Sequence, residues 1–151
     1  MAETLYNVAK ASFLRGDIDL ESADVRALLL TGAVTIDPDD ATVADVLASN
    51  TEASDGSYSR VALTNLVVSQ DDVNDRAQFD ADDIDFGALD NETPTAMLIF
   101  VQVTNDADSI PISIHDSNFG SPANGAGYVV ETQLDLYEAV HGVKGKRGLS
   151  K

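Results

Sequence analysis

"TAMLIFVQVT", Thr95–Thr104, is the stretch on which the reading of this fold turns. It is the most apolar segment of the chain and reads as a strand at the centre of a sheet. Upstream, "AQFDADDIDFGAL" (Ala77–Leu89) alternates. Ala77, Phe79 and Ala81 point one way, and so do Ile84, Phe86 and Ala88. The extra aspartate at Asp82-Asp83 shifts the phase by one, as a β-bulge or a bend does. Downstream, "SIPISIHD" is a further strand, which Pro111 places towards an edge. "YVVETQLDLYEAV" (Tyr128–Val140) is the last strand, and the Gly- and Pro-containing "NFGSPANGAG" before it is a loop.

The first third reads differently. "TLYNVAKASFLRG" predicts a short helix with Thr4 as N-cap, an apolar face of Leu5, Val8, Ala9 and Phe13, and Gly16 as its stop. Val25–Leu30 is strand-like and ends at Gly32. Thr42 followed by Asp45 is a capping-box variant that opens a second helix carrying Val43, Val46 and Leu47. "NTEASDGSYS" is a surface loop with its turn at Asp55-Gly56, and "RVALTNLVVS" is a strand with a bulge or turn at Asn65-Leu66. Helices at the start and strands thereafter predict a mainly β protein: an antiparallel β-sandwich or flattened barrel with one or two short N-terminal helices. Residues 1–143 form a single β-rich domain in this reading, and residues 144–151 a basic flexible tail.

Charge is the most informative bulk property. The 151 residues include 26 acids against nine Lys and Arg, a formal net charge of −17. Lys144, Lys146, Arg147 and Lys151 fall in the last eight residues, which contain no acid; the remaining residues carry five basic and 26 acidic side chains, a balance of −21. Such a body repels nucleic-acid phosphates. Acids spread along the whole chain, with few lysines and an ordinary 44% of hydrophobic residues, indicate a halophilic protein, whose self-repulsion concentrated salt screens. Cysteine is absent, which excludes disulfides and thiolate metal sites. No apolar run reaches the roughly 20 residues of a membrane span.

The motifs favour no enzyme. An EF-hand loop begun at Asp80 meets Ile84 at its fifth position, and one begun at Asp83 meets Gly87 there. A weaker cation site remains open at Asp82, Asp83 and Asp85, set against the simpler reading of a strand whose alternate positions face salt water. "SIHD" brings Ser113, His115 and Asp116 close in sequence, but a hydrolytic triad is assembled from separate segments, and a polar strand end is the plainer reading. His115 and His141 are too few for a His-rich metal centre. "GSPANGAG" fits neither phosphate-binding glycine pattern. No cofactor is implied. The basic tail, Lys144, Lys146, Arg147 and Lys151, is a candidate subunit contact with an acidic neighbouring copy, ahead of nucleic acid.

In order and phrasing, "NVAKASFLRGDIDLESADVRALLL", "YSRVALTN", "AQFDADDIDFGAL" and the following "A-LIF" strand resemble a family of small accessory virion structural proteins of tailed phages and archaeal tailed viruses. The likeness covers most of residues 5–104; residues 105–151 depart from it with a longer loop and the basic arm. The resemblance implies a non-enzymatic protein located in the virion. It would decorate or cement the capsid, or form part of a turret or fibre base, as a homo-oligomer beside major capsid or tail proteins. A tail, collar or baseplate component is the alternative, and a cation- or carbohydrate-binding β-module a further one.

Overall fold

The structure, a computed structural model, describes residues 3–116, 127–130 and 133–135. Its elements in chain order are β1 (Glu3–Leu5), α1 (Asn7–Arg15), β2 (Val25–Thr31), α2 (Val43–Ser49), β3 (Thr51–Glu52), β4 (Val61–Ala62), β5 (Val67–Asp71), β6 (Arg76–Asp80), β7 (Ile84–Ala88), β8 (Pro94–Val101), β9 (Ile110–His115), β10 (Gly127–Val130) and β11 (Gln133–Asp135). The protein is mainly β, with antiparallel pairing throughout the described sheets and two short helices. The sheets do not close into a barrel.

The central sheet runs β1-β9-β8-β2-β3, with β4 also paired to β2. β8 and β2 form its middle, in register from Val25 opposite Val101 to Leu30 opposite Ala96. Both faces of this pair are covered, which explains the near-continuous apolar runs "AMLIFV" and "ALLL". On one face Ala27, Leu29, Met97 and Ile99 pack with Phe79, Ile84, Phe86 and Leu89 of the β6–β7 region. On the other, Leu28, Leu30, Leu98 and Phe100 pack with Tyr6 and with Val43 and Val46 of α2. The sheet therefore stands between a β-ribbon and a helix.

That ribbon explains the broken alternation of Ala77–Leu89. β6 pairs with β11 and β7 with β10, two successive strand pairs, the second with a register shift of its own between Gly127 and Val129. Three residues, 81–83, lie between Asp80 and Ile84, against two, 131–132, between Val130 and Gln133. The surplus residue shifts the phase, and Phe79, Ile84 and Phe86 consequently all reach the same core. The predicted strand over 60–69 is divided. Asn65, at φ 53°, turns the chain between β4 on the central sheet and β5 on the ribbon.

Two local expectations need correction and a third is refined. Thr4 is not a helix cap, because Glu3–Leu5 is a strand paired to β9 and Tyr6 is the N-cap residue, without a side-chain cap. The start of α1 is fixed instead by the Asn7 N–H on the Pro38 carbonyl and the Asn7 amide on Asp39. Its end follows the sequence: Gly16 at φ 75° and Asp17 donate to Phe13 and Ser12, a Schellman closure. Second, β9 is not an edge strand, since it lies between β8 and β1. Pro111 is tolerated beside a register shift in the β8 pairing, beyond the three residues that β1 covers. Third, "SIHD" is a polar strand end as read, closing β9 at His115, but Ser113 and His115 are buried and only Asp116 faces solvent. The α2 capping box is as read: Thr42 Oγ1 accepts from Asp45 N–H and the Asp45 carboxylate accepts from Thr42 N–H. Carbonyls of Ser109 and Asp106 receive the first two N–H groups of that helix.

Residues 118–126 of the predicted loop, the rest of the last predicted strand, His141 and the tail Lys144, Lys146, Arg147 and Lys151 lie outside the described residues, while Gly127 of that loop begins β10.

Candidate functional site

The acidic bend was the leading metal candidate. Asp82 accepts hydrogen bonds from Thr64 Oγ1 at 2.9 Å and Asn65 Nδ2 at 2.5 Å, and its N–H donates to the Thr64 carbonyl. It thus ties the ribbon's bend to the β4–β5 turn. Asp85 accepts from the Gly87 N–H at 2.9 Å, and Asp83 is exposed. Asp82, Asp83 and Asp85 are not gathered as ligands; among the described residues no group of three His, Cys, Asp or Glu side chains is placed to hold a metal ion.

Other acids also serve the backbone. Asp55 accepts from the N–H groups of Asp90, Asn91 and Glu92, while Glu92 accepts from those of Ser54 and Asp55. The two loops thereby hold each other reciprocally, and the bonds keep the Asp55 carboxyl below the usual range. Asp108 plays the same part for Thr104 and Asn105. Gly56 permits the approach: at φ 63° it lies so close to the Ala88 carbonyl that a Cβ would collide with it.

The strongest charge cluster centres on Arg60. Its guanidinium is bidentate to Glu52, at 2.8 and 2.7 Å, and to Asp106, at 2.6 and 2.9 Å. Its carbon stands 5.6 Å from the Phe100 ring centroid. Tyr58 Oη donates to Glu52 and accepts from the Leu29 N–H. The two carboxylates hold the guanidinium firmly charged, and burial pushes the Tyr58 hydroxyl up. Four hydrogen bonds from Arg60 go to these two carboxylates, so the cluster joins β3, the residue before β4 and the 103–109 loop rather than presenting a free cation.

Ser113 and His115 do meet. Ser113 Oγ lies 3.1 Å from His115 Nε2, and His115 Nδ1 lies 3.7 Å from a carboxylate oxygen of Glu3. The acid in this line is Glu3, across the β1–β9 pairing, not Asp116. The order of groups is that of a hydrolytic triad, but Ser113 is 0% exposed and His115 2%, so substrate has no approach. Burial lowers the His115 pKa to about 4, leaving a neutral imidazole whose Nε2 meets Ser113 on the same strand.

A groove opens along the outer edge of β5. Phe13, Ile18, Leu20 and Val68 line it together with Asp19 and Glu21, around a volume of about 280 Å³. Glu21 accepts the outward N–H of Val68 at 2.9 Å, which guards that edge against further strand pairing.

Sequence reasoning found the acidic bend and the Ser113–His115 spacing. It missed the Arg60 cluster, the Asp55–Glu92 pair and the groove, whose members come from segments with no shared local pattern. Comparison with protein-family models, with curated proteins and with solved structures finds no match.

Proposed function

We propose that this protein is a non-enzymatic structural component of a tailed-virus particle, decorating or cementing the capsid or forming part of a turret or fibre base. The observation that carries the reading is the segregation of charge: a body at −21 and a terminal arm with four cations and no acid. Copies built this way are complementary to one another, arm to body, and assembly gives each copy contacts that it lacks alone. The use of Asp55, Glu92 and Asp108 as acceptors for backbone N–H groups, and of Asp82 for the side chains of Thr64 and Asn65, supports a rigid body suited to a shell. The order of segments over residues 5–104 supports the virion assignment, and the dispersed acids support a high-salt setting.

Electron microscopy of particles carrying a labelled copy tests the assignment. Label on the capsid surface supports it; label on the tail, collar or baseplate moves the protein to the alternative position; particles without label refute it. Molar mass at high and low salt tests the assembly part, which a folded monomer at both salts would contradict.

A further inference from the structure

We propose that the groove on the outer edge of β5 is the docking site for the basic arm, Lys144–Lys151, of the same chain. Three observations converge. The groove has an apolar floor of Phe13, Ile18, Leu20 and Val68, with two carboxylates, Asp19 and Glu21, among its lining side chains. Of these, Val68 is 41% exposed, an apolar side chain open to solvent on a strand edge. The arm offers the complementary chemistry, four cations with Leu149 as an apolar residue among them. Charge alone does not select this place, because most of the surface is acidic; the open apolar floor beside two acids does.

Reach points to the arm of the same copy. Asp135, the last residue of β11, pairs with Gln78, and Gln78 pairs on its other side with Ser69, the neighbour of Val68. The described chain therefore ends level with the groove and two strand spacings from β5, about 10 Å. The eight residues 136–143 can extend over roughly 28 Å, enough to bring Lys144 round to the far edge of β5. A tethered arm meets its own groove at an effective concentration on the order of millimolar, well above that of a neighbour's arm in dilute solution. Because Glu21 already receives the Val68 N–H, the arm docks through side chains rather than as an added strand. This docking stands apart from the virion assignment. If both hold, release of the arm from its own groove frees it to engage a neighbouring copy.

The test uses the full chain and compares backbone amide shifts of the wild type with those of the Lys144→Glu, Lys146→Glu, Arg147→Glu and Lys151→Glu combination. The expected differences cluster at Phe13, Ile18–Glu21 and Val67–Ser69 and do not change with protein concentration. Differences that are missing or that lie on another surface would overturn the proposal. Differences that grow with concentration would assign the groove to a neighbour's arm and overturn docking within one chain. As a second measurement, Val68→Ser, at an exposed position, is expected to speed trypsin cleavage after Lys144, Lys146 and Arg147 by about tenfold, because cleavage follows the undocked fraction. An unchanged rate would count against the groove even if the chain still assembles into particles.

Discussion

His115 makes folding stability depend on pH in a way that can be isolated. It is buried under the β1–β9 pairing, with Ser113 on one ring nitrogen and Glu3 beyond the other. Burial lowers its pKa from 6.5 to about 4, against a smaller opposing influence of Asp116. Above pH 6.5 the imidazole is neutral in both the folded and the unfolded chain, and its contribution to stability is complete. As pH falls below 6.5 the unfolded chain takes up a proton that the folded protein refuses. Stability is then lost at up to about 1.36 kcal/mol per pH unit until pH nears 4. Between pH 7 and 4.5 the loss amounts to roughly 2 kcal/mol. The perturbation is His115→Gln, which keeps a neutral polar group beside Ser113 but does not titrate. Urea unfolding of both proteins at fixed salt gives two stability profiles over that range. Lowered carboxylates such as Asp55, Asp71 and Asp108 and the relief of net charge affect both proteins alike and cancel in the difference. The expected result is a wild-type advantage at pH 7 that shrinks by roughly 2 kcal/mol at pH 4.5. Parallel profiles would refute the argument, and with it the burial of a neutral imidazole at this strand pair.

Gly56→Ala is expected to destabilise by about 2 kcal/mol or more, since the new methyl group meets the Ala88 carbonyl and φ stays positive; the urea midpoint measures it. Thr42→Ala removes one half of the capping box and is expected to cost about 1 kcal/mol, with faster amide exchange confined to the first turn of α2. Arg60→Met leaves Glu52 and Asp106 facing each other, and, with the guanidinium a quarter exposed, the expected cost is about 2 kcal/mol. Adding Glu52→Gln and Asp106→Asn is expected to restore part of that loss, and no restoration in thermal unfolding would show that charge is not the cause.

What the sequence made legible was what short-range pattern can encode. The apolar run at Thr95–Thr104 marked the middle of the sheet, because strands covered on both faces lose their alternation. The Asp82-Asp83 phase slip was readable because side chains alternate with a period of two. The Thr42–Asp45 box and Gly16 were readable because caps are local chemistry. The misses are long-range. Glu3–Leu5 has nothing strand-like of its own and is extended because β9 is there to pair with it. Pro111 misled because the rule against proline in inner strands concerns a lost donor, and at a register shift beside a three-residue partner that donor has no place in the ladder. Arg60 gains its meaning from Glu52 and from Asp106, 46 positions away. Asp55 was legible as a turn residue and Asp82 as part of an acidic bend, but that Asp55 would be taken by amides at 90–92 and Asp82 by the Thr64 and Asn65 side chains depends on where those loops lie.

The order of strands also sets an order of synthesis. β2 finds its main partner in β8, and β1 pairs only with β9, which ends at His115. As the chain leaves the ribosome, the N-terminal strand waits until more than a hundred further residues have emerged before its edge is closed. A nascent chain halted before β8 holds the apolar "VRALLL" with only the two-residue strands β3 and β4 to pair with, and the edge that β8 would fill stays open to pairing with other chains. Closing such distant ends is slow compared with forming local helices and hairpins. Completion of the central sheet therefore waits for β8 and β9, and its yield is governed by how long β2 stays without β8.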